Sequence, residues 1–267
     1  MVRVAVAGIG GRMGSRIAQL VMETENMELS AGFEYAEHPK LGRDIAEIVG
    51  GPATGKMVAP GIADVLDAAD VIIDFTSAAA SLEHLKAASA AGKAMVIGST
   101  GFSADMVARA RELANRAPCV LAPNMSMGVN VLFKVAADVA RLLGNDFDAE
   151  IVEIHHRFKK DAPSGTALKL AQVIAESLDR NLDQVGVYER HGMIGERTDK
   201  EIGIQTMRGG DVVGEHTIVF AGMGERLELT HRAHSRDNFA RGAIRAAQWV
   251  VRQAPGLYDM QNVLGIR

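Results

Sequence analysis

The sequence of 267 residues lacks a second cysteine, a long apolar run and an excess of charge of either sign. With Cys119 alone, no intramolecular disulfide can form, and its setting in APCVLAP predicts a small buried residue and not a nucleophile. No apolar stretch approaches the roughly 18 residues that a membrane helix requires. A net charge of -4 gives no general affinity for nucleic acid or anionic membranes. We therefore expect a soluble, cytoplasmic protein that binds neither nucleic acid nor membrane.

Hydrophobic residues make up 48% of the chain and charged residues 23%, as in ordinary globular proteins. Residues 1–126 alternate short apolar runs, which predict strands, with alanine-rich helical stretches. The predicted strands are VRVAVAG, MELSAGF, ADVIIDF, AMVIGST and CVLAPN. Helices are expected over 12–23, AAASLEHLKAASAAG and SADMVARARELANRA. This alternation predicts right-handed βαβ units and a parallel sheet covered on both faces, as in a Rossmann-type domain.

A different pattern follows in residues 127–235. A helix over 131–143 and the helix TALKLAQVIAESL accompany the strands DAEIVEIHHRF, IGIQTMR, EHTIVFAG and ERLELTHRA. Glycine-rich turns between the strands predict an antiparallel or mixed sheet. The last helix, RDNFARGAIRAAQWVVRQ, is expected to pack on the first domain. The chain is therefore predicted to be α/β, with a Rossmann-type parallel-sheet domain (1–126 and 236–267) and an α+β domain (127–235).

Three glycines, Gly8, Gly11 and Gly14, lie between the first strand and the first helix. Glycine lets the backbone turn tightly and approach a pyrophosphate, whose charge then lies at the helix N-terminus. The spacing is G-x-x-G-x-x-G, because Met13 occupies the final glycine position of the stricter G-x-G-x-x-G pattern. Glu34 ends the second strand about 20 residues on, where an acid binds the adenosine ribose. We interpret the turn as a dinucleotide site; a tight turn without a ligand is the alternative.

Two other predicted strands end in small polar residues, in DFTS (74–77) and GSTG (98–101). Ligands of parallel sheets lie beyond the carboxyl ends of the strands, so these side chains can contact the nicotinamide ribose and amide. Taken singly, Thr76 or Thr100 is equally well explained as a helix N-cap. Together with the glycine turn they favour a dinucleotide.

The segment HHRFKKDAPSGTA (155–167) gathers two histidines, three cationic side chains and an acid ahead of a Pro-Ser-Gly-Thr turn. Successive strand residues point to opposite faces, so His155 and His156 are poorly placed to bind one metal ion. The pair also lacks the i, i+4 helical spacing of a zinc protease, and we expect no metal site. For Arg157 and Lys160 a solvated basic loop is the simpler explanation.

Anion binding with proton donation is the other interpretation of this segment. Lys159 supplies positive charge, and Ser164 is expected to cap the next helix after a turn set by Pro163. Gly165 and Thr166 supply backbone N–H groups at the helix start, where the helix dipole favours a carboxylate or phosphate. For His155, Lys159 and the Ser-Gly-Thr turn taken together, we favour a functional site over a capped helix beside a solvated loop.

The chain resembles the 4-hydroxy-tetrahydrodipicolinate reductases (also called dihydrodipicolinate reductases), the nicotinamide-dependent family of diaminopimelate and lysine synthesis. The resemblance covers nearly the whole chain in the family's order, through GIGGRMG, IDFT, VIGSTGF, NMSMGVN, HHRFKKDAPSGTA and RGGDVVGEHTIVF. It implies that NADH or NADPH reduces a cyclic, conjugated imine dicarboxylate to tetrahydrodipicolinate through an enamine that then gains a proton. It also implies a dinucleotide domain joined by hinges to a substrate domain that assembles as a homotetramer.

The resemblance, with the strand-end argument for Thr76, also assigns site residues. The expected cofactor residues are Gly8, Ile9, Gly10, Gly11, Arg12, Met13, Glu34, Thr76, Gly98, Ser99, Thr100, Ala122, Pro123, Asn124 and Met125. The expected substrate contacts are His156, Lys159, Ser164, Gly165 and Thr166. The implied proton donors are His155 and Lys159, and the sequence does not divide the acid and base roles between them. The hydration state of the bound substrate also stays open.

Three other functions are open to the sequence. Another Rossmann-type dehydrogenase of amino-acid metabolism would share the glycine turn but has no obvious need for the Ser-Gly-Thr turn. A non-enzymatic dinucleotide sensor would bind nucleotide without substrate-dependent oxidation of NAD(P)H. A metal-dependent hydrolase would have to use His155, His156 and Asp161 as ligands.

We expect NADH to serve at least as well as NADPH. By the resemblance, members that favour NADPH carry an arginine directly after the ribose-binding acid and often another after DFT, where this chain has Tyr35 and Ser77. A 2′-phosphate would then lack bidentate partners and Glu34 would repel it, although Arg12 could still reach it. The measurement is kcat/KM for both cofactors, and a strong NADPH advantage would contradict the expectation.

Overall fold

The computed structural model of the chain describes residues 1–266. Its strands are β1 (Val2–Ala7), β2 (Met27–Phe33), β3 (Val71–Asp74), β4 (Ala94–Ile97), β5 (Pro118–Leu121), β6 (Asp148–His155), β7 (Gly186–Val187), β8 (Ile202–Arg208), β9 (Gly214–Gly222), β10 (Glu225–Ala233) and β11 (Gly256–Tyr258). Its helices are α1 (Arg12–Glu23), α2 (Ile45–Val49), α3 (Ala78–Ala90), α4 (Ala104–Leu113), α5 (Met127–Leu143), α6 (Gly165–Ser177), α7 (Leu182–Val185), α8 (Asp237–Val250) and α9 (Met260–Leu264). None of these helices has the length and apolar character needed to span a membrane.

The described chain divides into two compact units. Unit 1 comprises Met1–Met127 and residues 237–266, and unit 2 comprises Gly128–Arg236. Unit 1 carries the glycine turn, and unit 2 carries the polar segment 155–167.

A six-stranded parallel sheet forms the centre of unit 1, in the order β11-β5-β4-β3-β1-β2. Alternate β1 residues belong to different apolar clusters, since Val4 packs in one cluster with α1 and α8 while Ala5 packs in the other with α3 and α4. Both faces are therefore covered, which confirms the expected Rossmann-type architecture. Cys119 is fully buried on β5, as predicted, and burial raises the pKa of its thiol.

The strand order places the expected cofactor residues along one edge of this sheet. After β1 and β2 the chain crosses to the other side of β1 to form β3, so the order reverses between β1 and β3. In parallel sheets this reversal opens a crevice at the carboxyl ends of the strands. Gly8, Glu34, Gly98 and Ala122 all follow directly or closely after carboxyl ends at this edge.

Helix α8 supports one of these strand ends from the side. A Cβ atom placed on Gly242 of α8 would lie 1.7 Å from the carbonyl oxygen of Met125, so only glycine fits where α8 meets this backbone. Two of the elements near the C-terminus, β11 and α9, were not expected from the sequence. β11 pairs in parallel with β5 and widens the sheet.

Unit 2 is built on a five-stranded mixed sheet in the order β10-β9-β6-β8-β7. β6 is parallel to β8 and antiparallel to β9, which confirms the predicted mixed sheet. On one face, Ile151, Ile204 and Ile218 pack with residues of α5 and α6 in a single buried cluster. The strands therefore bury every second side chain on this face, and the polar segment 155–167 begins at the carboxyl end of β6.

Candidate active site

The glycine turn after β1 leaves the start of α1 without a side-chain cap. Gly8 has a φ of +61°, a left-handed conformation that favours glycine. A Cβ on Gly14 would lie 2.0 Å from the Gly8 carbonyl oxygen, so the first turn of α1 packs directly against the loop backbone. Gly11 caps α1 with no side-chain hydrogen bond. Unsatisfied N–H groups beside bare backbone fit a dinucleotide pyrophosphate.

Glu34 lies directly beside this turn. Its Oε1 accepts a hydrogen bond of 2.8 Å from the Gly10 N–H, and the residue is buried. His38 lies near the same carboxylate, with 3.9 Å between its Nε2 and Glu34 Oε1. The Nζ of Lys40 donates to the Gly10 carbonyl oxygen at 3.0 Å. The sequence interpretation included Glu34 but missed His38 and Lys40, which lie in a loop with no periodic signal.

Asp74 fixes the end of β3 next to the glycine turn. It is fully buried, and its Oδ1 accepts hydrogen bonds from the Thr76 N–H at 2.8 Å and hydroxyl at 2.7 Å. Its Oδ2 pairs with His84 Nδ1 at 2.7 Å. A Cβ on Gly8 would lie 2.8 Å from Thr76 Cγ2, so the expected cofactor residue Thr76 adjoins the turn. The helix N-cap is Ser77, not Thr76.

The GSTG segment after β4 borders a cavity of about 480 Å³. Three of the expected cofactor residues, Ser99, Thr100 and Pro123, line it together. The Ser99 hydroxyl is hydrogen-bonded to the buried Ser81 hydroxyl of α3 at 2.7 Å, so the Ser99 side chain holds the GSTG segment against α3. The N-cap of α4 is Ser103, so Thr100 does not serve as a cap. The strand ends thus form a polar, concave edge.

In unit 2, the first histidine of the polar segment is held by a buried acid. His155 is the last residue of β6, and its Nδ1 lies 2.5 Å from Glu153 Oε2. Strand alternation places Glu153 and His155 on the same face, a signal from which the acid could have been predicted. Gly214 leaves room for the other ring nitrogen, because a Cβ there would lie 2.9 Å from His155 Nε2.

Glu153 is fully buried and surrounded by donors. Arg208 donates to both carboxylate oxygens, at 2.9 and 3.0 Å, and the Ser164 N–H donates to Oε1 at 2.9 Å. Burial by itself would raise the pKa of Glu153, but hydrogen bonds from Arg208, His155 and Ser164 hold it below its usual value. The carboxylate is therefore charged, and it links β6, β8 and the start of α6.

The charged Glu153 determines which tautomer His155 adopts. Burial lowers the pKa of His155, and the charges of Lys159 and Arg208 add to that effect, while the hydrogen bond to Glu153 opposes it. The ring is thus neutral near pH 7. Since a carboxylate only accepts, Nδ1 carries the proton and Nε2 presents a lone pair.

Ser164 caps α6, as predicted, but its donors are already used. Its hydroxyl accepts from the Ala167 N–H at 3.2 Å and lies 3.1 Å from His216 Nε2, and the residue is buried. Its N–H is bonded to Glu153. Ser164 therefore shapes the turn, and Gly165 and Thr166 place the following N–H groups at the start of α6.

The cations of the segment differ in their surroundings. Lys159 is half-buried, and its Nζ donates to both carboxylate oxygens of Asp161, at 2.8 and 3.0 Å. His156 is also half-buried, and its Nδ1 has no hydrogen-bond partner within residues 1–266. Arg157 and Lys160 are exposed, which agrees with a solvated role. Within the same residues no group of three or more His, Cys, Asp or Glu side chains is arranged to hold a metal ion.

Comparisons with known proteins cover the whole chain. The model described as "Dihydrodipicolinate reductase, N-terminus" matches residues 2–125, and "Dihydrodipicolinate reductase, C-terminus" matches residues 128–264. The chain is 69% identical to the 4-hydroxy-tetrahydrodipicolinate reductase of Syntrophobacter fumaroxidans and 59% identical to that of Syntrophus aciditrophicus, over 100% of both chains in each case. Among solved structures it is similar to a dipicolinate-bound dihydrodipicolinate reductase from Paenisporosarcina sp. TG-14, at 30% identity and a TM-score of 0.78. That match covers 98% of this chain and 99% of the other.

We predict that His216 makes the fold sensitive to acid. Burial lowers the pKa of His216 from 6.5 to about 3. Between these pH values the unfolded chain takes up a proton that the folded chain does not, so stability falls as pH falls from about 6.5 toward 3. His216→Asn keeps an acceptor for Ser164 without titrating, so its free energy of unfolding, measured by urea denaturation at several pH values, should fall less steeply. The control variant His191→Asn changes an exposed histidine and should keep the pH dependence of the unmodified chain. If the free energy of unfolding of H216N fell with pH as steeply as that of the unmodified chain, the prediction would be contradicted.

Proposed function

The chain belongs to the dihydrodipicolinate reductase family, and from this premise we propose how its residues carry out the reaction. It is an NAD(P)H-dependent oxidoreductase that reduces 4-hydroxy-tetrahydrodipicolinate to tetrahydrodipicolinate in diaminopimelate and lysine biosynthesis. The 4-hydroxyl group leaves as water to give a conjugated cyclic imine, a hydride adds to that imine, and the resulting enamine is then protonated. The chain's residues must therefore bind a dinucleotide, hold a dicarboxylate and deliver one proton.

The edge of the unit 1 sheet is the proposed dinucleotide site. The uncapped start of α1 binds the pyrophosphate, because the N–H groups of its first turn, from Arg12 onward, have no acceptor within the helix and carry partial positive charge. Glu34 binds the adenosine ribose at the end of β2. The GSTG segment and residues 122–125 border the nicotinamide end. When bound, the reduced nicotinamide supplies the hydride.

Lys159 is the proposed proton donor. His155 is neutral, with its single proton directed at Glu153, so it holds no acidic proton for the enamine. Lys159 is close enough to lower the pKa of His155, and its ammonium group carries three protons. The lone pair of His155 Nε2 can accept one of them, which orients the ammonium group while another proton is given to the substrate.

The start of α6 is the proposed site for a substrate carboxylate. Dipicolinate, a planar dicarboxylate, is bound in the Paenisporosarcina reductase structure. In this chain the N–H groups of Gly165 and Thr166 begin α6, where the helix dipole favours an anion. Ser164 fixes the turn through Glu153 and His216. His156 offers a ring nitrogen with no bond inside the described chain.

One observation carries this assignment: hydrogen bonds from Arg208, His155 and the Ser164 N–H to the buried Glu153 tie a neutral histidine to the α6 turn, and the charge of Lys159 lies close to that histidine. The assay follows NADH and NADPH absorbance after addition of freshly generated synthase product. Lys159→Ala should slow turnover about 10²- to 10⁴-fold, since a positioned acid contributes that much.

Two controls keep the Lys159 result specific. The adjacent Lys160→Ala removes an exposed cation and should leave the rate nearly unchanged. Lys159→Ala should also bind NADH as tightly as the unmodified chain, because the dinucleotide residues lie in unit 1. Normal turnover of the Lys159 variant would rule out the donor role, and no oxidation of either cofactor by the unmodified chain would rule out the reaction itself.

We further propose a homotetramer, in the reducing cytoplasm that suits the free Cys119. The face of the unit 2 sheet opposite α5 and α6 has partly exposed aliphatic side chains on adjacent strands, with Ile154 opposite Met207 and Val152 beside them on β6. This patch lies among polar neighbours such as Gln205 and Thr217, but exposed aliphatic side chains on a sheet face are normally covered, and a symmetric partner would cover the same patch on both copies.

The oligomer proposal predicts the behaviour of one charged variant. Val152→Asp places a charge in the middle of the open face, which should reduce the mass measured by light scattering after gel filtration from that of a tetramer. Leu142→Asp changes an 85% exposed leucine of α5 and should leave the mass unchanged. A monomeric unmodified chain, or a tetrameric V152D, would contradict this surface as the interface.

A further inference from the structure

Three side chains pack around Gly10, which lies between Gly8 and Gly11 in the glycine turn. A Cβ on Gly10 would come within 2.7 Å of His38 Cε1, 3.0 Å of Glu34 Oε1 and 3.2 Å of Lys40 Cδ. The Gly10 N–H donates to Glu34, and the Gly10 carbonyl oxygen accepts from Lys40 Nζ. An anion and a cation from the segment after β2 therefore bind the N–H and the carbonyl oxygen of the same residue of the glycine turn.

The segment that carries Lys40 is ordered by its own hydrogen bonds. The His38 N–H donates to the Tyr35 carbonyl oxygen at 2.9 Å, and the Leu41 N–H donates to that of His38 at 3.1 Å. The Lys40 N–H donates to His38 Nδ1 at 3.2 Å. The rings of Tyr35 and His38 pack edge to face, with 5.1 Å between centroids. These contacts hold Lys40 in a defined place next to the turn.

The charge of Lys40 has no counter-ion in the described chain. Its Nζ donates to a carbonyl oxygen, and no carboxylate within residues 1–266 forms an ion pair with it. Lys56 provides the contrast in the same unit, because its Nζ pairs with Glu28 at 2.7 Å and donates to the Leu29 carbonyl oxygen at 2.8 Å. An unmatched, partly buried cation beside a turn suited to a pyrophosphate indicates a second anionic group of the ligand.

We infer that Lys40 binds the 2′-phosphate of NADPH next to Glu34. The inference rests on the proposed dinucleotide site. The acid at the end of β2 is where the adenosine ribose is held, so a phosphate on the ribose lies beside a carboxylate and requires a nearby cation. Lys40, six residues after Glu34 in the sequence, supplies that cation. Arg12 lies at the same glycine turn. Glu34 thus serves the hydroxyls of NADH, and Lys40 serves the phosphate of NADPH.

An ammonium group recognises phosphate as a point charge, without the two parallel hydrogen bonds of a guanidinium. The discrimination that Lys40 provides is therefore moderate. This agrees with the expectation from Tyr35 and Ser77 that NADH serves at least as well as NADPH. Lys40 acts on the choice of cofactor and takes no part in the chemistry at the ring.

The test measures binding by titration calorimetry with four probes: NADPH, NADH, adenosine 2′,5′-bisphosphate and 5′-AMP. Lys40→Gln keeps a donor for the Gly10 carbonyl oxygen but removes the charge. It should weaken NADPH and the bisphosphate about 10- to 100-fold, as expected for loss of a charged hydrogen bond. NADH and 5′-AMP should change by less than about twofold, since neither carries the 2′-phosphate. Lys40→Arg should restore NADPH binding.

The matched control is Lys56→Gln, which removes a half-buried lysine whose charge is already paired. It should leave the ratio of NADPH to NADH affinity unchanged. If K40Q weakened the binding of all four probes equally, the inference would be overturned in favour of a purely structural role. An unchanged affinity of K40Q for NADPH would also overturn it. If the unmodified chain bound neither NADH nor NADPH, both the dinucleotide site and the role of Lys40 would be overturned.

Discussion

The buried carboxylate of Glu153 is the group on which the rest of unit 2 depends. A charge with no exposed surface is stable only when donors replace the water it has lost, and here Arg208, His155 and the Ser164 N–H do so. Those donors come from β8, the end of β6 and the start of α6. One carboxylate therefore fixes the relative positions of three elements.

The same carboxylate sets the chemistry of its neighbours. Because Glu153 is charged and accepts only, His155 has one available tautomer, and burial keeps its ring neutral. In the proposed mechanism the acid is therefore Lys159, which is less buried than His155. Ser164 belongs to the same network, since both its N–H and its hydroxyl are already bonded. Ser164 therefore stabilises the turn, and its contact with the substrate stays a prediction.

Unit 1 reaches the same kind of organisation by a simpler means. Its strands are parallel, so their carboxyl ends lie at one edge of the sheet. Residues far apart in sequence therefore lie close together there, even where no direct bond joins them. Glycine then decides how closely other groups approach: Gly8 adjoins Thr76, Gly14 packs on the loop, and Gly242 lets α8 reach Met125. The buried Asp74 holds the central strand end through Thr76 and His84.

The sequence by itself determined the elements whose patterns are local. Short strand-like runs bounded by turn residues predicted β2, β8 and β10 residue for residue, a helical pattern predicted α1, and the Pro-Ser-Gly-Thr turn predicted the Ser164 cap of α6. It did not predict β11 or α9, because three to five residues are too short to show a period. Only the tertiary structure joined Arg208 to Glu153, His216 to Ser164, or Lys40 to Gly10, since such pairs are formed by strand order and loop packing. Hydrophobic periodicity records which face of an element is buried, but the partner of a buried charge is decided by which distant segment the fold brings beside it.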